Sequence, residues 1–296
     1  MTMKKGWLVI NSFVKHNKFY EIYNMLLASG VKKNVELELK TTTDLLFEIG
    51  SAMEETEKPD FILFWDKDIY LAQRLEALGL PVFNSARAIE LCDNKILTSM
   101  ALEAAGVRIP KTVAAPKTYE GTGYSNRLFL ERAEELLGFP MVVKEAYGSF
   151  GAQVYLAKNR EELYALADRI HHKPFLMQEF VSESCGRDVR VNVVGGKVIA
   201  SMMRHNENDF RSNLTNGGSM KRIEITEQQA ELACRACAAL GLDFAGVDVL
   251  FGPEDEPIIC EVNSNPHFKT TWECTGVDLS GYILEHIVNT LENRRA

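Results

Sequence analysis

The apolar positions of this chain fall into short runs set between longer stretches with helical spacing. Trp7-Leu-Val-Ile10, Val35 to Leu39, Phe61-Ile-Leu-Phe64 and Pro81-Val-Phe83 read as four strands. Between them, Phe19 to Ala28 carries apolar residues at helical spacing with Gly30 as its stop, and Leu71 to Leu78 is a second helix closed by Gly79. Short apolar strands alternating with helices predict a parallel sheet covered on both faces. This first unit ends near residue 90.

A helix then runs from Cys92 to Gly106, with Asp93 or Asn94 as N-cap. Strand Lys111 to Ala115, a polar loop over 117–126, a helix to Leu137 and strand Pro140 to Lys144 follow. Residues 145–153 form a turn-rich loop between two strands. Helix Arg160 to Ile170 and strand Phe175 to Glu179 complete this part. The last third holds more strands: Asp188 to Val194, Lys197 to Arg204, Phe244 to Phe251 and Pro257 to Val262. Helices Glu227 to Leu240 and Asp278 to Leu291 flank them. The fold class is therefore α/β, turning to α+β in the C-terminal half. There are no internal repeats and no low-complexity segment.

At 296 residues the chain suits two domains or three small ones. Its 46% hydrophobic and 25% charged residues are ordinary for a globular protein. A net charge of -8 counts against non-specific nucleic-acid binding, which needs clustered positive charge. No apolar run is long enough to span a membrane. The apolar run before Asn11 is too short for a signal-peptide core, so it reads as a strand. With no secretion signal, Cys92, Cys185, Cys234, Cys237, Cys260 and Cys274 read as free thiols, which suits a cytoplasmic protein.

The sharpest chemical signal is Ala245-Gly-Val-Asp-Val-Leu-Phe251 followed by Pro257-Ile-Ile-Cys-Glu-Val-Asn263, two strands joined as a hairpin. Glu261 and Asn263, two apart, share a face, and Asp248 can meet them from the neighbouring strand. Two carboxylates and an amide oxygen are hard ligands suited to Mg²⁺. The plain alternative is a solvated polar face. Against it, both acids sit in apolar runs, where an ionised carboxylate without a counter-charge is costly. Lys144 ends a strand before a loop containing Gly148 and Gly151, an arrangement that suits phosphate oxygens but also fits an ordinary hairpin. The strand Met177-Gln-Glu-Phe-Val181 could present backbone to an adenine edge. Arg190, Arg204 and Arg211, near Asn213, can fork onto phosphate or carboxylate.

Other motifs carry less. Cys234 and Cys237 lie on one helix without a second pair, so zinc is not expected. His171 and His172 read as solvated, and His205 and His267 as packing residues near the site. There is no Gly-x-Gly-x-x-Gly after the first strand and no Gly-x-Ser-x-Gly turn.

Taken together, these residues resemble the RimK-like branch of the ATP-grasp ligases from about residue 90 to the end. Asp93-x-Lys95 resembles the first nucleotide lysine of that family. Val142-Val-Lys144 and the loop after it resemble the second lysine and the phosphate-covering loop. Gln178-Glu-Phe-Val181 resembles the adenine-binding linker. Asp188-Val-Arg190, Asp209-Phe-Arg-Ser-Asn213 and Gly217-Gly218 resemble the branch's characteristic stretch. Gly246-Val-Asp248 and Glu261-Val-Asn-Ser-Asn-Pro266 resemble its metal strands. Two stretches depart. The covering loop reads Gly148-Ser-Phe-Gly-Ala-Gln153 rather than Gly-x-x-Gly-x-Gly, and Ser-Asn-Pro-His follows Asn263 where relatives often have Ser-Pro-Gly.

The resemblance implies an ATP-grasp fold in three parts: a Rossmann-like pre-ATP-grasp domain over 1–90, a small subdomain over 91–178, and a metal-bearing subdomain over 179–296. ATP would be bound by Lys95, Lys144, Gly148, Ser149, Gly151, Gln178, Glu179, Phe180, Val181, Asp188 and Asp209. Asp248, Glu261 and Asn263 would hold one or two Mg²⁺ ions, with Mn²⁺ able to substitute. Arg211 and Asn213, with Arg190 and Arg204, would serve catalysis. The implied reaction is ATP-driven carboxylate–amine ligation through an acyl phosphate. Its implied amine donor is glutamate or another amino acid, and its acceptor a peptide, protein tail or small-molecule carboxylate. No general base stands out. The rival readings are a small-molecule kinase on the same grasp and a non-catalytic ATP-binding module. The N-terminal sheet edge leaves a homo-oligomer open.

Overall fold

The computed structural model describes residues 3–52, 58–212 and 217–294. The first sheet has the order β2-β1-β3-β4, from Val35–Thr41, Lys4–Ile10, Phe61–Phe64 and Val82–Phe83, with every pairing parallel. Phe61 to Phe64 are fully buried, as a strand covered on both faces requires. Helices α1 (Asn17–Lys32) and α2 (Ile69–Ala77) supply the covers.

Two helix readings need correction. Gly30 does not stop α1, which continues to Lys32; a Cβ at Gly30 would sit 3.0 Å from the Val35 carbonyl oxygen, so this glycine serves helix–strand packing. The expected helix from Cys92 to Gly106 is two helices, α3 (Ala86–Asp93) and α4 (Lys95–Ala104). The break is at Asn94, whose extended backbone interrupts the helix while its Oδ1 accepts from the Ile96 and Leu97 amides at 3.0 and 3.3 Å. Asn94, not Asp93, is the cap, and Lys95 becomes the first residue of α4.

The second sheet is antiparallel, ordered β5-β8-β6-β7 from Thr112–Ala114, Phe175–Glu179, Met141–Glu145 and Val154–Ala157. Helices α5 (Leu128–Leu137) and α6 (Arg160–Ile170) close its core around Met141, Val143, Phe175 and Met177. The third sheet, also antiparallel, has the order β11-β10-β9-β12-β13 from Ser219–Arg222, Lys197–His205, Arg187–Val194, Phe244–Phe251 and Pro257–Asn263. The sequence pattern had no sign of β11, whose four residues are all exposed. Helix α7 (Glu227–Leu240) covers one face, with Ala88, Cys92, Leu102 and Val107 in the same core. The short α8 (Lys269–Thr275) likewise has no counterpart among the elements that the sequence pattern predicts. Helix α9 (Leu279–Asn293) packs on α1 and on Val194 and Phe244, tying the first sheet to the third.

Candidate active site

Register decides which side chains meet. Asp248 on β12 lies opposite Glu261 on β13, and Gly246 lies opposite Asn263. Directly opposed residues share a face, so Asp248, Glu261 and Asn263 project to one side. A bulge between Asp248 and Val249 leaves Cys260 unopposed, and both Cys260 and Glu261 then line the same cleft. The opposite face carries Val247, Val249, Ile259 and Val262 into the core under α7.

The next strands supply cations. Arg190 on β9 is opposite Asp248, and Arg204 on β10 is opposite Asp188. Arg190 forks onto both carboxylate oxygens of Asp248, its Nη2 at 3.0 Å from Oδ2. The Nε of Arg204 donates to Asp188 Oδ1 at 2.7 Å, and its Nη2 lies 2.9 Å from Asp248 Oδ2. Two arginines and two aspartates thus form a neutral buried ladder across three strands. Burial alone would push the Asp248 carboxyl up, but the two guanidiniums outweigh it and hold it below the usual range. Burial pushes Asp188 up, against the pull of Arg204, and the nearby Asp248 charge adds to the rise. The sequence reading that Asp248 lacks a counter-charge is therefore corrected: Arg190 and Arg204 provide one. Gly246 makes room for this ladder, since a Cβ there would meet Arg190 Nη1 at 3.0 Å and Pro266 Cβ at 2.9 Å.

Around the ladder lie two cavities that share Lys95, Gly151, Arg204, Asp248 and Glu261. The narrower, of about 110 Å³, lies between the second and third sheets and is lined by Lys144, Gln178, Glu179, Phe180, Val181, Asp188 and Arg211. Lys144 is buried, with Nζ 3.8 Å from the Cys260 sulfur and no carboxylate partner among the described residues. Gln178 is fixed by its Nε2 donating to Thr112 Oγ1 at 2.8 Å, and Glu179 accepts from the Lys111 amide at 2.8 Å. The wider cavity, of about 620 Å³, lies between α1 and the third sheet and includes Gly148, Ser149, Phe150 and Asn263.

The glycine loop holds two of the cations by its carbonyl groups. Lys95 Nζ donates to the Gly148 oxygen at 3.0 Å and stands 3.7 Å from Glu261 Oε1. Arg211 Nη1 donates to the Gly151 oxygen at 2.7 Å, while its Nε and Nη2 fork onto Asp209. The bonds from Arg211 hold the Asp209 carboxyl below its ordinary value. Asp209 and Asp188, expected on ATP, thus have their carboxylates committed to Arg211 and Arg204 and position those arginines. Asn213 lies outside the described residues.

The donor set fits Mg²⁺. Among the described residues Glu261 has no hydrogen-bond donor closer than Lys95, and the buried Nδ2 of Asn263 has no partner, so this amide end is free to turn its oxygen inward. Among the described residues no three acidic, His or Cys side chains cluster as metal ligands, so a third protein ligand beside Asp248 and Glu261 would be the Asn263 amide.

Sequence reasoning missed Lys18, Phe19, Asp66 and Lys67, which line the wider cavity. Their partners lie up to 249 positions away, as in the bond from His267 Nε2 to the Lys18 oxygen at 3.1 Å, and nothing local marks them. His267, read as packing, does stack edge-on against Phe19, but it also lines this cavity; burial holds its pKa down.

The parallel sheet followed by two antiparallel sheets that grip a cation-lined cleft defines an ATP-grasp fold. In keeping with it, the D-alanine–D-alanine ligase of Bacillus anthracis superposes with a TM-score of 0.74 at 18% identity, covering 99% of this chain and 98% of that one. More narrowly, residues 92–287 match the RimK-like ATP-grasp domain, and the chain belongs to that family. It is 37% identical over 232 residues to beta-citrylglutamate synthase B of Danio rerio, a match spanning 77% of this chain and 56% of that protein. It is 35% identical over 232 residues to N-acetylaspartylglutamate synthase A of Homo sapiens, spanning 78% and 58%. The chain therefore matches little more than half the length of these two relatives.

Proposed function

We propose that the protein is an ATP- and Mg²⁺-dependent carboxylate–amine ligase that joins an amino acid, glutamate first among them, to the carboxylate of a peptide, protein tail or small molecule. The observation that carries this reading is the shared wall between the two cavities, where Lys95, Arg204, Asp248 and Glu261 face both. A nucleotide in the narrow cleft would direct its terminal phosphate to this wall. An acid in the wide cavity would meet it there. Both reactants are anionic, so the barrier is charge repulsion, and Lys95, Lys144 and Arg211 would offset it. Bound Mg²⁺ on Asp248, Glu261 and Asn263 would supply Lewis-acid stabilisation of phosphate charge.

The acid's carboxylate oxygen attacks the γ-phosphorus, giving an acyl phosphate and ADP. The neutral amine then attacks the acyl carbon, the bond from that carbon to the phosphate oxygen breaks, and the departing phosphate would take up the amine proton. Arg211 and Asn213 would stabilise the oxyanion of that second step. The loop over 145–153 would keep water from the acyl phosphate, supported by the bonds that Lys95 and Arg211 already make to its carbonyls. The names of the two relatives, both glutamate-containing products, support glutamate as amine donor. The three sheets support division near residues 90 and 178, although α4 of the middle part buries against the C-terminal core. All six cysteines are free, which supports a reducing, cytoplasmic setting. No helix among the described residues is long and apolar enough to cross a membrane.

ADP release measured over a panel of acid-plus-amine pairs with Mg²⁺ tests the reading. ADP should form only when both partners are present, and Glu261→Gln should lose most turnover at an unchanged unfolding midpoint. A stable phosphorylated acid without amine would replace ligation by a kinase. Nucleotide binding without ADP from any pair would leave a binding module.

A further inference from the structure

The wide cavity is lined by five cations, and four of them are neutralised within the protein. Lys67 pairs with Asp93, Lys95 stands by Glu261, Arg190 forks onto Asp248, and Arg204 bridges Asp188 and Asp248. Lys18 differs. Among the described residues no carboxylate pairs with it, and burial, with no acidic neighbour to oppose it, pushes its pKa down. Its ammonium lies 3.6 Å from the centroid of the Phe150 ring and 5.2 Å from that of Phe19. Phe150 belongs to the glycine loop and meets Phe19 edge-on at 6.2 Å. His267 donates to the Lys18 carbonyl, which fixes the backbone of the first turn of α1 beside the third sheet.

A partly desolvated ammonium held over aromatic faces at a cavity wall is a receptor for an anion. The one acid of this cavity outside those pairs, Asp66, accepts instead from the Asp68 amide and the Asn11 side chain, so among the described residues the counter-charge of Lys18 is left to a ligand. We propose that Lys18 is a specificity-determining residue that binds a second carboxylate of an amino dicarboxylate, glutamate or aspartate, in this cavity. The inference rests on the ligase reading and deepens it by naming the residue that would anchor such a substrate. The carboxylate that Lys18 holds is not the reacting group. It sits on the α1 wall, while the shared wall of Lys95, Asp248 and Glu261 carries the chemistry. Because Phe150 covers the same ammonium, a ligand seated on Lys18 also meets the loop that closes over the phosphates.

The test is calorimetric titration of the full chain, saturated with ADP and Mg²⁺, with glutamate, glutamine, aspartate and asparagine. At least one acid should bind about tenfold or more tightly than its amide, as expected for one charge-assisted bond in a desolvated site. Lys18→Met should abolish that preference by weakening the acid alone, and Lys18→Arg should retain it. A merely structural Lys18 would change acid and amide binding equally. Failure of both acids to bind, or a Lys18→Met variant with the preference intact, overturns the proposal. Since no turnover is needed, dicarboxylate binding without ADP formation from any substrate pair would sink the ligase reading and leave the Lys18 assignment standing.

Discussion

Replacing Arg204 by Met isolates the electrostatics of the ladder. The side chains of Arg204, Asp188 and Asp248 are 7%, 8% and 6% exposed, so water screens them little. Asp248 would keep Arg190, but Asp188 would lose its forked partner and keep the Ser212 hydroxyl. Stranding a buried charge in this way costs about 3–5 kcal/mol. In the variant, the native Asp188 carboxyl titrates above its value in the unfolded chain, because burial and the Asp248 charge already raise it and the Arg204 opposition is gone. The native state then holds more protons than the unfolded state between those two values, and stability falls as pH rises through that window. Urea unfolding followed by tryptophan fluorescence should therefore show a larger loss for Arg204→Met at pH 8 than at pH 5. Adding Asp188→Asn should recover at least half of the loss at pH 8, since it removes the stranded charge. A loss below about 1 kcal/mol at pH 8, the range of an exposed ion pair, or a double variant no better than the single one, would refute the account.

Two further outcomes follow from neighbouring geometry. Lys144→Met removes a buried cation that no described carboxylate neutralises, so the KM for ATP should rise about ten- to a hundredfold, the range for a hydrogen bond to a charged group; an unchanged KM in steady-state kinetics would remove Lys144 from the phosphate site. Gly246→Ala places a methyl against Arg190 and Pro266 and should cost about 1–3 kcal/mol in urea unfolding, with ADP release lowered as Arg190 shifts off Asp248; full activity would show that the fork of Arg190 is dispensable.

How much of this could be read from the chain depends on the range over which each feature is determined. The parallel first sheet and the boundaries of helices Arg160–Ile170 and Glu227–Leu240 are local matters, set by runs of apolar residues and by caps such as Asn159 and Thr226. Asp248, Glu261 and Asn263 were also within reach, because a hairpin makes their spacing a question of strand alternation. What alternation does not reveal is the bulge, which turns Cys260 toward the cleft beside Glu261. Nor does it reveal β9 and β10, whose arginines meet Asp248 only once the sheet order is known. That is why the counter-charges on Asp248 are not legible in the hairpin alone.

The two buried guanidiniums alter the chemistry of Asp248 as well as its charge balance. An Asp248 already held by two guanidiniums is pre-oriented and stays ionised, so its oxygens face the shared wall in a fixed position whether or not a cation is present. Glu261 and Asn263, by contrast, have few partners and remain adjustable. The site therefore divides into a rigid half built from the sheet and a responsive half at the end of β13, beside Lys95 and the loop carbonyl it holds. With three N–H donors, Lys95 can keep its bond to the Gly148 oxygen while facing the cleft, and the loop it holds is the one that carries Phe150 to Lys18. One lysine thus connects the narrow cleft to the wide cavity, by contacts that only the folded chain brings together.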